Sequence, residues 1–216
     1  MLLTEGLRSF WAKLLGHLFY RRLVVVANDM TVPPPDVQPK VEVTVREVTE
    51  DDIGAYVAFG PKADAETVRR RLAAGSRIHA AWFGDRIVCA SWTDFDNASF
   101  DAIGAAVPIA PTDVYGRDVY TLPEFRRKRI ASYRFVTAMR LLREEGYERA
   151  LGYVLPENRR GFGPTAKANV NPIGSVGWFG IGPFRIYFFK KTGSDTRFLP
   201  RFRRGRKPVV LDLDFS

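Results

Sequence analysis

"YTLPEFRRKRIASYRFVTAMRLLREEGYERALGYV", residues Tyr120–Val154, holds an extended run, a burst of positive charge, a helical pattern and a second apolar run. Arg126, Arg127, Lys128, Arg129 and Arg134 crowd the point where the strand gives way to the helix. From Ile130 onward, Ala131, Phe135, Ala138 and Leu142 predict one buried stripe on a helix that Gly146 ends. A helix N-terminus carries unpaired backbone N–H groups and a partial positive charge, so it is prepared to hold an anion. When a strand runs directly into it, the turn can wrap those groups around a phosphate. Arg127, Lys128 and Arg129 would add charge at the mouth. Ala131 and Ser132 let the backbone approach closely, and the Ser132 hydroxyl supplies another donor. "RRKRIAS" therefore reads as a pyrophosphate cradle, with a solvated basic helix start as the competing reading.

Working outward, "VEVTVREV" from Val41 alternates with period two and predicts a strand, followed by two helical patterns in the 50s and 60s–70s, the second closed by Gly75. "RIHAAWFGDRIVCASW" predicts two strands joined at Gly84-Asp85. "DVYGRDVYTL" is a further strand ahead of the basic helix, "RALGYVL" a buried one after it, and "GSVGWFGIG" and "FRIYFFKK" read as closing strands. This order predicts a mixed α/β or α+β sheet with helices on both faces. Upstream, Leu3, Leu7, Phe10, Trp11, Leu14, Leu15 and Leu18 form one apolar stripe on a helix. "TVPPPDVQP" then reads as a stiff linker. The expected organisation is an amphipathic helix and short extended segment over 1–30, a Pro-rich linker over 31–40, a mixed α/β domain over 41–191 and a basic tail over 192–216.

Composition narrows the chemistry. The 33 Lys and Arg against 24 Asp and Glu leave a formal charge of +9, which favours anionic partners without choosing among them. A single cysteine, Cys89, gives no disulfide framework, and His17 and His79 lie far apart, so no metal site is expected. No Walker-type loop and no G-x-G-x-x-G after a strand are present. No apolar run reaches the length of a spanning helix, and a cytoplasmic location is the default expectation.

The quoted stretch resembles the central motif of the GCN5-related N-acetyltransferase (GNAT) superfamily. Leu122-Pro123-Glu124-Phe125-Arg126 matches its V-x-P-x-x-R phrase, and Arg126 to Ala131 its R-x-x-G-x-A turn, with Arg129 where glycine is usual. Because arginine does not enter strained backbone angles freely, the turn is expected to hold an ordinary conformation. The element order from Val41 to Lys190 is also similar. The resemblance implies a mostly antiparallel sheet in which two central strands splay into a V. It implies an acyl-CoA co-substrate with its pyrophosphate on Arg126, Arg127, Lys128, Arg129, Ile130, Ala131 and Ser132. The pantetheine arm would bond the backbone of Thr121 and Leu122, and Asn158 would contact the arm.

Acyl transfer to an amine needs a base and an acid. The position where many members carry a carboxylate is Arg117 here, and the usual acid position is Thr165. Asp118 serves only if a bulge turns it round. Asp118 and Tyr153 are the expected catalytic pair, with His79 a core histidine more than a base. The acceptor pocket is expected among the 50s–70s segments, Trp92, Asp94, Phe95, Asp96 and "WFGIGPFRIYFF". The expected activity is acetyl transfer from acetyl-CoA to a primary amine on an amino-sugar or amino-acid body. Two alternatives stand open. One is an acyl carrier protein or long-chain acyl donor, with membrane contact through residues 2–22. The other is a non-catalytic basic relative that binds nucleic acid, against which no aromatic stacking platform interleaves the cations. The tail over 192–216 reads as solvated, as a lipid contact or as a homodimer arm.

Overall fold

The computed structural model describes residues 19–60, 64–156, 170–181, 183–202, 208–211 and 213. Its strands are β1 (Tyr20–Asp29), β2 (Thr44–Glu47), β3 (Arg77–Phe83), β4 (Arg86–Asp94), β5 (Asn97–Phe100) and β6 (Ala105–Pro108). The second half adds β7 (Asp113–Thr121), β8 (Arg149–Val154), β9 (Val170–Ile181), β10 (Phe184–Lys191), β11 (Thr196–Phe202) and β12 (Val209–Val210). The α-helices are α1 (Ile53–Phe59), α2 (Ala65–Ala73) and α3 (Ile130–Glu144). Nine strands form one sheet in the order β11-β10-β9-β1-β8-β7-β4-β3-β2, and β12-β6-β5 form a second. In the large sheet β7 and β8 run parallel and the other neighbours antiparallel. The mixed sheet expected from the element order is present.

Two segments assigned outside the sheet belong to it. "YRRLVVVAND" is not an appendage ahead of the linker but strand β1, hydrogen-bonded to β8 on one edge and β9 on the other. Its run of apolar residues, buried from Val25 to Asn28, is what a strand covered on both faces requires. The tail is not wholly solvated either. β11 extends the sheet beyond β10, β12 pairs with β6, and Leu211 and Leu213 lie in the core. β11 is the edge strand and carries Pro200, a position where a missing N–H costs no ladder bond. The small sheet was not anticipated at all. It packs Phe100, Val107 and Leu211 against Leu23, Tyr115 and Tyr187 of the large one.

Side-chain alternation on β4 separates two faces. Trp92 meets the Tyr56 ring of α1 edge-on, while its neighbour Ser91 accepts a hydrogen bond from Arg134 of α3. Helices α1 and α3 therefore cover opposite faces. On α3 the buried stripe is Ile130, Arg134, Ala138 and Leu142, one residue away from the expected Ala131 and Phe135 at its start. Among the described residues no helix is long and apolar enough to cross a membrane.

Candidate active site

The site begins where β7 and β8 part. They pair only over Asp113–Tyr115 and Arg149–Leu151, and β7 then follows β4 while β8 follows β1. A bulge marks the divergence. Arg117 faces Trp92 and Tyr120 faces Ala90, so β7 spends one residue more than β4 over this stretch. Asp118 takes up the excess with φ 54, a left-handed conformation that Asp tolerates better than most residues. Bulges bend a strand and change the side on which a residue emerges. Asp118 accordingly emerges beside Arg117, on the α2 side, as the conditional sequence reading required.

At the far end of β7 the chain turns through Pro123–Phe125 into α3. There a cavity of about 590 Å³ is lined by Thr121, Phe125, Arg126, Arg127, Arg129, Ile130, Ala131 and Ser132. The Pro-rich segment supplies its opposite wall with Pro35, Asp36 and Val37, so it is a structural wall as well as a connection. The Lys40 N–H donates to the Lys128 carbonyl at 2.9 Å and pins that wall to the turn. Helix α3 has no side-chain cap, since its N-cap is Arg129, which has no acceptor to offer. The first intrahelical bond runs from the Tyr133 N–H to the Arg129 carbonyl, so the N–H groups of residues 130–132 face the cavity mouth without a capping side chain.

Several expectations change here. The turn is not ordinary: Arg127 has φ 62 and Arg129 φ 61. Arg129 keeps the backbone that glycine would adopt, at a cost of about 1–2 kcal/mol. Lys128 does not line the cavity, and its ammonium lies 4.8 Å over the Phe125 ring. Both backbone groups of Leu122 already have partners, its N–H donating to Val88 and its carbonyl accepting from Phe125. By strand alternation Thr121 then presents its amide to the gap, although its carbonyl already accepts from Arg126 Nε at 3.1 Å. Asn158 lies outside the described residues.

On the opposite face a second cavity of about 370 Å³ opens between α1, α2 and the bulge. Tyr56, Phe59, Trp92 and Tyr120 wall it, and Arg71, Asp118, Asp64 and Thr67 supply its polar groups. Arg71 pairs with Asp118 at 3.1 Å and lies 5.2 Å over Trp92. Arg117 is held by Asp94 at 2.5 Å, with Asp101 and Asp118 each at 3.8 Å. Burial works against the Arg117 charge, but those three carboxylates hold its pKa above the ordinary value. Tyr153 lies half-buried on the other arm of the fork, against Phe100. Burial raises its pKa, and the charges of Asp101 and Asp118 raise it further.

The remaining expected pocket residues are elsewhere. Two strands, β8 and β1, separate residues 178–181 of β9 from β7, and Phe95 packs on Tyr147. His79 is a core residue facing Thr93. Sequence reading missed Arg71, because "VRRRLAA" offers three arginines and no sign of which one turns inward. The helical period could have found it, four residues after Thr67.

No protein-family model and no curated protein matches this sequence. Solved structures do. A GCN5-related N-acetyltransferase from Sphaerobacter thermophilus superposes with TM-score 0.54 at 13% identity, over 97% of this chain and 59% of that one. A protein named as a GNAT-family acetyltransferase from Novosphingobium aromaticivorans gives 0.52 at 14%, over 73% and 62%. The chain has the GCN5-related N-acetyltransferase fold. The GCN5-related glucosamine N-acetyltransferase region of a fungal multi-domain β-N-acetylglucosaminidase gives 0.54 at 11%, over 79% of this chain and 22% of that one. The chain thus spans about three fifths of the first two neighbours and about a fifth of the third. At such identity the N-acetyltransferase fold is shared as a backbone path, and the fork, the bulge and the uncapped α3 carry any argument about chemistry.

Proposed function

We propose that the protein is an acyl-CoA-dependent N-acyltransferase, moving an acetyl group from acetyl-CoA to a primary amine of a small molecule. One observation carries this reading: the open fork between β7 and β8 leads to a helix start with free amides and arginines around a 590 Å³ cavity. A diphosphate needs several fixed donors and positive charge. Residues 130–132 offer backbone N–H groups, and Arg126, Arg127 and Arg129 offer guanidinium groups. Asp36 is the one carboxylate in that lining, and it faces Arg140 at 4.0 Å. A thioester arm running from there along the Thr121 edge comes to the bulge.

At the bulge the chemistry needs a proton removed from one side and supplied on the other. Asp118 takes a proton from the acceptor ammonium, directly or through one water. The freed amine attacks the thioester carbonyl carbon, so a C–N bond forms as the C–S bond breaks. The departing thiolate takes its proton from the Tyr153 phenol, and the second proton, shed by the newly acylated nitrogen, passes to solvent, from which the phenol is restored. A raised phenol pKa suits that role, since Tyr153 stays protonated until a strong base appears beside it.

Titration of the protein with acetyl-CoA, followed by thiol release with a panel of amines, tests the reading. Expected are binding that weakens with salt, near-loss of binding in Arg127→Glu/Arg129→Glu, and amine-dependent thiol release that Tyr153→Phe slows. No heat on titration, or equal heat in the charge-reversed double variant, would refute it.

A further inference from the structure

We infer that the acceptor is a free α-amino acid with a large apolar side chain, its carboxylate held by Arg71 and its ammonium by Asp118. The inference rests on the acyltransferase reading and concerns the 370 Å³ cavity beside the bulge. That cavity has one charge of each sign able to leave its present partner. Arg71 and Asp118 are paired at 3.1 Å with side-chain exposures of 32% and 49%. An ion pair this exposed contributes little to stability, so a ligand that inserts between the two loses little by parting them. A zwitterion replaces the one pair with two, and the guanidinium fork matches a carboxylate in bidentate fashion.

The other charges are already spent. Arg117 is locked to Asp94, with both side chains only 12% exposed. Asp64 caps α2 by accepting the Thr67 N–H at 2.8 Å, and the Thr67 hydroxyl accepts from Arg70. An amino sugar would present a ring of neutral hydroxyls and would need neutral donors and acceptors to meet them. This cavity offers aromatic walls instead. Tyr56, Phe59 and Trp92 are buried, and Trp92 meets the Tyr56 ring edge-on. Such walls suit an apolar side chain, which gains by leaving water. The same carboxylate that holds the ammonium is the base that deprotonates it, so binding and reaction use one geometry.

The test uses the full chain with acetyl-CoA and matched pairs of acceptors: L-phenylalanine with phenethylamine, L-leucine with 3-methylbutylamine, L-methionine with 3-(methylthio)propylamine, and glucosamine as the sugar. Each amino acid is expected to exceed its decarboxylated partner in kcat/KM by about tenfold to a hundredfold, the value of a charged hydrogen-bonded pair. Arg71→Met should bring that ratio close to one, chiefly through KM. Arg71→Lys, which keeps the charge but not the fork, should give an intermediate ratio. Transfer that ignores the carboxylate in the parent protein, or that prefers glucosamine, overturns the inference and leaves the acyltransferase reading intact. Absence of thiol release with every acceptor overturns both.

Discussion

On the α3 side of β7, Arg127 and Arg129 line an open cavity and make no ion pair among the described residues. On the α1 side, Arg71 and Arg117 are each held by carboxylates. One strand thus separates cations kept open from cations kept matched. The open set sits where the backbone also offers uncapped N–H groups, an arrangement that favours a ligand bringing permanent negative charge. The matched set surrounds Asp118, where each guanidinium already faces at least one carboxylate. On the function proposed above, the pairing of the arginines divides the side that anchors a fixed charge from the side that moves a proton.

The sharpest break of this comparison is Asp118→Asn. Asparagine tolerates the left-handed backbone at φ 54, so the bulge should persist. With the base proposed above removed, kcat should fall by about a hundredfold to ten-thousandfold. The affinity for acetyl-CoA should stay within about twofold of the parent, because the anion cradle lies at the other end of β7. Steady-state kinetics beside calorimetric titration separates the two. A matching loss of donor affinity would mean that the two regions are not independent.

Arginine removal on either side should give opposite signatures. Arg117→Met leaves Asp94 nearly buried beside an apolar side chain, at a cost of about 3–5 kcal/mol in unfolding stability. Arg127→Ala removes no partner and should leave urea unfolding within about 0.5 kcal/mol of the parent. Its effect falls on the ligand instead, weakening acetyl-CoA by about tenfold to a hundredfold. If Arg127→Ala destabilises the fold as much as Arg117→Met does, the distinction between open and matched cations is wrong.

The sequence carried the frame of this site well and its details unevenly. The strand–basic turn–helix order of Val119 to Glu144 is written in periodicity and charge, which act locally, and the structure has it. The partners of that frame were less legible, because they depend on contacts between distant segments. β1 reads as an extended run, yet only the sheet shows that it fits between β8 and β9. The small sheet uses four-residue strands such as Asn97–Phe100, too short for alternation to stand out. "WFGI" reads as pocket lining because aromatics and glycine are near each other in sequence, whereas strand order puts β1 and β8 between it and β7. Asp118 was legible only as a condition, since a bulge is a property of the pairing between β7 and β4.

Positive charge on the α3 side also runs inward. Arg134 is buried, donates to Ser91 and has no carboxylate partner among the described residues. Burial, with Arg134 and Arg77 nearby, pushes His79 down from 6.5 to about 4. The unfolded chain takes up the His79 proton near pH 6.5, while the folded protein resists it until about pH 4. Between those values the unfolded state binds more protons, so stability falls as pH falls, by about 3 kcal/mol in all. Urea unfolding at pH 7 and pH 4.5 should show most of that loss, and His79→Gln should remove it. An Arg134→Met protein should titrate His79 at a higher pH by NMR. An unchanged His79 titration would mean that the inward charge is screened from the histidine.

The smallest effect comes from the turn that the family motif gives to glycine. Arg129 caps α3 at φ 61 and ψ 10, and a side chain there is strained by its own backbone. Arg129→Gly relieves that strain but adds backbone freedom to the unfolded chain, two terms of about 1 kcal/mol with opposite sign. The strain term is the larger by the left-handed penalty, so the variant should be equally stable or more stable by up to about 1 kcal/mol in thermal unfolding. Its acetyl-CoA affinity should still fall, because a guanidinium leaves the cavity while the amides of residues 130–132 remain. Stability and affinity moving in opposite directions is what a residue retained for charge at a structural expense must show. A variant that loses stability together with affinity would instead make Arg129 a structural cap, and the open side of β7 would be left with one fewer cation held for a ligand.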